Sequence, residues 1–338
     1  MYKRQARRAV VEAVAQAGFV EVITLPFVGA DEIERLGVPQ DCELRRLVRL
    51  ANPLADTQPF LRTSLLPGLF AAASRNSSRS QDDLALFEQG SVFWARQAGA
   101  APMPPVSHRP GAEQIAALDE SLPDQPRMLA ALVSGQWLAA SWRGPAVAAD
   151  WTHAVLVAQT AAETLGAELV RSAAAIAPWH PGRCARLSVR DAQGELVHIG
   201  AAGELHPTVI EAFGLAPRTC AVELDLDLLI DSAPRSGEVV ALSPFPLTKE
   251  DVALIVDADV AAGEVEQTLV AGGGTLLESV SLFDVYTGPQ VGQGKKSLAY
   301  NLRMRHPERT LTGAEATQVR DAAVSAVEER FGAVLRQA

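Results

Sequence analysis

Only three cysteines occur in the 338 residues, Cys42, Cys184 and Cys220. They stand far apart with no CxxC and no nearby histidine pair, which argues against a disulfide framework and a zinc site. No apolar run approaches the ~18 to 20 residues that a bilayer span needs. The N-terminus is basic and amphipathic, unlike a secretory signal. A reducing, cytoplasmic setting with no membrane partner is therefore expected. Basic charge is also short: 30 Lys and Arg face 40 Asp and Glu, a net charge of -10. Phosphate affinity rests on Lys and Arg, so a broad nonspecific nucleic-acid surface is disfavoured and any RNA contact has to be local. The chain contains no GxxxxGK[ST], no strand-linked GxGxxG, no HExxH and no GxSxG, so the common phosphate-loop, dinucleotide, zinc-protease and hydrolase signatures are missing.

What is present describes an ordinary globular chain, with 48% hydrophobic and 21% charged residues. The length suggests two domains. Residues 2–17 read as a helix, with Ala6, Val10, Ala13 and Val14 on one stripe and Gly18 after the end. Lys3, Arg4, Arg7 and Arg8 crowd its start, where the macrodipole disfavours positive charge. Either solvent or the carboxylates or phosphates of a partner would compensate them. A strand is expected over 20–28, a helix over 68–79 and a strand over 84–94. Residues 98–126, rich in Pro, Gly and Ala, read as a surface excursion. Further elements are expected at 128–137, 150–165 (helix), 185–189 and 196–201, and alternation marks 222–228 as a strand.

Turn residues Ser232, Pro234, Ser236 and Gly237 point to a linker over 231–242. The first domain is accordingly placed at 1–230 and the second at 243–338. In the second, strands at 251–257, 276–286, 296–305 and 333–336 alternate with helices at 261–271 and 313–331. Thr312 and Glu315 form a T-x-x-E capping box for the last helix. This is the ferredoxin-like β-α-β-β-α-β order, and the fold class of the whole is α+β. Gly272, Gly273 and Gly274 read as a helix terminator.

Candidate chemistry is thin. His180, in His180-Pro181-Gly182-Arg183, and His206, before Pro207, could act as general bases or serve a turn through backbone hydrogen bonds. Arg62 with Glu88 could bind a ligand or form a structural ion pair. No catalytic or metal-binding set is assigned.

Asn52-Pro53-Leu54, the run from Leu61 to Leu69, the run from Ala85 to Phe93, the His180 phrase and Gly203-Glu204-Leu205-His206-Pro207 occur in order. In this they resemble the catalytic-like module of the bacterial phenylalanyl-tRNA synthetase β subunit. Phe245-Pro246, Leu282-Phe283-Asp284-Val285-Tyr286, Gly294-Lys295-Lys296-Ser297 and Arg309-Thr310-Leu311-Thr312 resemble the same family's ferredoxin-fold anticodon-binding domain. The resemblance covers almost the whole chain and places it in the C-terminal part of that subunit. It implies a degenerate, antiparallel class II synthetase-like module without catalysis, a partner α subunit that performs ATP- and magnesium-dependent ligation, an (αβ)₂ assembly, and binding of phenylalanine tRNA. Asp284, Tyr286 and Ser297 match family positions that read the anticodon loop, and Arg336 matches more loosely near the C-terminus. In the glycine-bearing stretch 199–207 the residues include Glu204 but no arginine to grip ATP, so this chain is expected to be inactive alone. The α subunit is expected to dock on 2–28 and around Arg62. Two other readings remain: a stand-alone RNA-binding regulator and an independent class II-like adenylating enzyme.

Residues 245–338 hold nine Lys and Arg against thirteen Asp and Glu, net -4, but 295–309 hold Lys295, Lys296, Arg303, Arg305 and Arg309 against Glu308 alone. Alternation groups Lys296, Leu298, Tyr300, Leu302 and Met304 on one face, and Ser297, Ala299, Asn301, Arg303 and Arg305 on the other. Lys296, Arg303 and Arg305 are expected to supply charge to RNA, and Tyr286 to stack on a base. The same alternation, applied to the preceding strand, puts Tyr286 on the side of Val280 and Leu282, where it would be a core-edge aromatic.

Overall fold

The computed structural model describes residues 2–96, 102–234 and 243–336, which separate into two compact units, 1–237 and 238–338. In the first, the elements run α1 (Tyr2–Gln16), β1 (Val20–Glu21), β2 (Phe27–Val28), α2 (Ala30–Arg35), β3 (Val48–Arg49), β4 (Phe60–Leu61), α3 (Leu66–Ser77) and β5 (Leu84–Ser91). There follow α4 (Ala112–Ser121), β6 (Arg127–Ser134), β7 (Gln136–Leu138), β8 (Val147–Ala148), α5 (Trp151–Thr164), β9 (Leu169–Ala174), β10 (Trp179–Arg190), β11 (Leu196–Leu205), α6 (Pro207–Phe213), β12 (Cys220–Asp225) and α7 (Leu226–Ser232).

A seven-stranded sheet, β1-β5-β6-β12-β11-β10-β9, organises this unit. It is antiparallel except for the β1–β5 pair. Both faces are covered, which explains why β6 reads as the unbroken apolar run Met128-Leu129-Ala130-Ala131-Leu132-Val133. Leu129, Ala131 and Val133 join a core with Val10 and Val14 of α1 and with Val157, Ala158 and Ala161 of α5. Met128, Ala130 and Leu132 join a second core with Leu66, Leu69 and Phe70 of α3. Each large apolar side chain so buried contributes ~1.5 to 3 kcal/mol. Asp150 caps α5, accepting from Thr152 N at 2.9 Å.

Several expectations need correction here. The single strand over 20–28 is two short strands, β1 and β2, with irregular chain between them. The described part of the 98–126 excursion contains α4, a helix with no buried residue. The strand expected to reach 228 stops at Asp225, whose carboxylate accepts from Leu228 N at 2.8 Å and starts α7. Alternation could not reveal this stop, because Leu226 and Leu228 suit either element. Of the expected linker, 235–242 lies outside the described residues, and its first two positions belong to α7. That helix supplies what the basic start of α1 lacks: Asp227 pairs with Arg7, and Asp231 with Lys3 at 2.7 Å. No outside partner is needed for those two cations.

The second unit runs β13 (Thr248–Asp257), α8 (Ala262–Gly273), β14 (Leu277–Tyr286), β15 (Lys295–Met304), α9 (Gly313–Phe331) and β16 (Val334–Leu335). Its sheet order is β14-β15-β13-β16, antiparallel throughout. Val252, Leu254, Leu298, Tyr300 and Leu302 face Val265, Leu269, Val319, Ala323 and Val327 of the two helices. The capping box forms, with Glu315 N donating to Thr312 Oγ1 at 3.4 Å and Thr312 N to the Glu315 carboxylate at 3.0 Å. Gly272 and Gly273, expected to terminate the helix, lie inside α8; Gly274, at φ +66° and ψ -161°, follows it in a backbone conformation open to glycine.

Candidate nucleic-acid interface

The two helices of the second unit cover one face of its sheet and leave the other open. On β15 this outer face carries Ser297, Ala299, Asn301 and Arg303. The register sets Ile255, Ala253, Asp251 and Lys249 of β13 beside them. On β14 a shift in register between Leu282 and Asp284 changes the phase. Val280 and Leu282 oppose the inward Leu302 and Tyr300, but after the shift Asp284 opposes Ala299 and Tyr286 opposes Ser297. Phe283 is the extra residue of this β-bulge. Tyr286 therefore lies on the open face, and the core-edge position expected from simple alternation is overturned.

Tyr286 is held in place. A Cβ on Gly288 would meet its ring and hydroxyl, so glycine there lets the ring lie against the turn. The Arg336 guanidinium lies over the ring, 5.5 Å from its centroid, and donates to Gln290 Oε1 at 2.8 Å. Arg336 follows β16, at the opposite edge of the sheet from β14, and its backbone N–H bonds to Ala253. Its side chain thus spans the row containing Ser297 and Ile255, and Ser297 is buried. The structure brings Asp284, Tyr286, Ser297 and Arg336 together.

The three cations expected to supply charge separate. Arg303 is exposed on the outer face. Arg305, also outward, is tied to Glu278 at 2.7 Å and to Ser243 O at 3.1 Å. Lys296 pairs in register with Val256, on the face toward the helices, and donates to Ala258 O at 2.8 Å. It does not join the Tyr286 group. Lys249 was missed by sequence reading, although strand alternation sets it apart from Val252, Leu254 and Val256.

In the first unit, Arg62 and Glu88 form a buried pair at 2.7 Å. Arg62 also donates to Thr24 Oγ1 at 2.9 Å and to Ser91 O at 3.0 Å, while Thr24 Oγ1 donates to Glu88 at 2.7 Å. Arg62 is thus a structural centre rather than an exposed docking residue. Nearby, Glu223 accepts from Leu65 N at 2.6 Å and from Ser64 Oγ at 2.9 Å. The residue is half-buried, but its carboxyl is enclosed, and desolvation pushes its pKa up to about 7.

His206 caps α6, its Nδ1 accepting from Thr208 N at 3.3 Å, and His180 Nδ1 accepts from Gly182 N at 3.1 Å. Both therefore serve turns. Glu204 is not the lone acid that the sequence suggested: Arg183 of β10 meets it at 2.6 Å and Arg218 at 3.3 Å. A Cβ on Gly200 would strike the Glu223 carbonyl, and one on Gly203 the Arg183 carbonyl. These glycines let neighbouring strands approach. Among the described residues no group of His, Cys, Asp and Glu could hold a metal ion, and no helix is long and apolar enough to cross a membrane.

A four-stranded antiparallel sheet with helices on one face and an open polar face defines the second unit as a ferredoxin-fold binding domain, in a chain that also carries a seven-stranded α+β module. Residues 1–226 match the family described as phenylalanyl tRNA synthetase beta chain CLM domain, and 243–336 match the ferredoxin-fold anticodon binding domain. The chain belongs to the phenylalanyl-tRNA synthetase β-chain family. It is 58% identical over 333 residues to the phenylalanine–tRNA ligase beta subunit of Cutibacterium acnes, covering 98% of this chain and 39% of that protein. It is 51% identical over 332 residues to that of Thermobifida fusca, covering 98% and 40%. The chain thus spans about two-fifths of the length of these relatives. Among solved structures it is similar to pyrrolysyl-tRNA synthetase from Desulfitobacterium hafniense, with TM-score 0.45 and 15% identity over 69% of this chain and 73% of that one.

Proposed function

We propose that this chain is a non-catalytic structural and tRNA-binding part of a phenylalanyl-tRNA synthetase, supporting the ATP-dependent ligation of phenylalanine to its tRNA by an α subunit. The supporting observation is the open face that gathers Asp284, Tyr286, Ser297 and Arg336 in a unit of the anticodon-binding family. Tyr286 offers a π-face to an unpaired base, Asp284 an acceptor to base edges, and Arg336 a charge. A base that takes the ring face displaces the Arg336 guanidinium, which is then free to meet a phosphate.

The first unit is read as a degenerate class II synthetase-like module. The glycines of β11 are used in strand packing and Glu204 is held by two arginines, so ATP and magnesium are assigned to the α subunit in a cytoplasmic (αβ)₂ enzyme. Val20, Ile23 and Leu25 project apolar surface into solvent, and the α subunit is proposed to cover it.

Titrating the chain with the anticodon stem-loop of phenylalanine tRNA, and with a loop of altered anticodon, tests the reading. The first should bind more tightly, and Tyr286→Ala should cost ~1 to 3 kcal/mol. Equal affinity for both loops together with no loss in Tyr286→Ala would overturn it. Pyrophosphate exchange with phenylalanine and ATP should be absent.

A further inference from the structure

A second feature of the same open face lies away from Tyr286. Lys249 on β13 and Arg303 on β15 are direct partners in register, and Ser279 of β14 completes the row. Both cations are exposed. Like charges directly opposite in an antiparallel pair, with Cβ atoms ~4.5 to 5.5 Å apart, destabilise the sheet. Elsewhere in this unit a carboxylate relieves such charge: Asp257 meets Lys295 at 3.1 Å, Glu278 meets Arg305 at 2.7 Å and Glu250 meets Arg320 at 3.0 Å. Lys249 and Arg303 have no hydrogen-bond or ion-pair partner among the described residues. The diagonal neighbour Asp251 is engaged by Asn301 Nδ2 at 2.7 Å.

Two uncompensated cations fixed side by side on paired strands suit an anion. We infer that Lys249 and Arg303 grip two neighbouring backbone phosphates of the RNA whose loop is read at Tyr286, an inference that rests on the RNA-binding reading of this face. The spacing selects the phosphates. The Tyr286–Ser297 row and the Arg303–Lys249 row are separated along β15 by six positions, which at ~3.4 Å each is about 20 Å. That is a span of several stacked nucleotides, longer than an anticodon triplet. The phosphates held by this row therefore belong to the stem side of the hairpin, and the contact is independent of base sequence.

The test is titration of the full chain with the complete anticodon stem-loop and with a trinucleotide of the anticodon alone, at several salt concentrations. Lys249→Gln and Arg303→Gln, both exposed, should each weaken hairpin binding and lower the slope of log K against log salt by ~0.7 to 0.9, the double variant by about twice that. Neither should alter binding of the trinucleotide, which cannot reach both rows. Tyr286→Ala should weaken both ligands and leave the slope unchanged, and Arg305→Gln, neutralised by Glu278, should leave it unchanged too. An unaltered slope in Lys249→Gln and Arg303→Gln while Tyr286→Ala still weakens binding would overturn the phosphate row alone. Full binding by all the variants, Tyr286→Ala included, would overturn the RNA-binding reading beneath it.

Discussion

Replacing Arg62 with Met removes the cation from the best enclosed charge pair among the described residues. The side chains of Arg62 and Glu88 are 7% and 1% exposed. The substitution deletes the 2.7 Å contact to Glu88, the bond to Thr24 Oγ1 and the bond to Ser91 O. Glu88 keeps only Thr24, through its hydroxyl at 2.7 Å and its N–H at 3.3 Å. A buried charge left without its partner costs ~3 to 5 kcal/mol, a large share of the ~5 to 15 kcal/mol that holds a typical domain together. All five tryptophans lie in the first unit, so their fluorescence during urea unfolding reports on that unit. With a slope of ~2 kcal/mol/M, the midpoint should fall by about 2 M and the slope should not change. Combining Arg62→Met with Glu88→Leu should restore much of the loss, because the stranded carboxylate disappears. A loss below ~1 kcal/mol in Arg62→Met, as for a surface pair, would refute this account of the network.

Tyr300 is fully buried and its hydroxyl donates to Ala262 O at 2.7 Å, at the start of α8; Tyr300→Phe should cost ~0.5 to 1.5 kcal/mol in thermal unfolding of the second unit. Glu223 has a folded-state pKa near 7 against an ordinary 4.5. As pH rises from 4.5 to 7 the unfolded chain ionises while the folded carboxyl holds its proton, so the first unit should lose stability across that window and Glu223→Gln should flatten the loss, as read from urea midpoints at pH 5 and 8. Ile23 is 90% and Leu25 71% exposed; Ile23→Asp with Leu25→Asp should leave the unfolding free energy of the first unit within ~0.5 kcal/mol yet reduce co-purification with the α subunit, and intact co-purification would remove that surface from the proposal.

Local signals were strong wherever one segment decides its own conformation. The capping box at Thr312 and Glu315, the glycine stop after α8 and the 3.6-residue stripe of α1 depend on neighbours within a few residues, and the sequence alone determined them. The ferredoxin-like order was legible for the same reason, since β13 and β15 alternate and α9 carries its own cap. Other features depended on partners distant in the chain. The bulge at Phe283 turns Tyr286 outward through pairing with β15, and no alternation rule contains that insertion. Asp227 and Asp231 compensate Arg7 and Lys3 across more than two hundred residues, and Arg62 meets Glu88 only because β5 passes beside the chain that follows β4. Lys249 gained meaning once β13 was set against Arg303 in register. Charge, burial and face are properties of pairs, and tertiary structure alone chose the pairs.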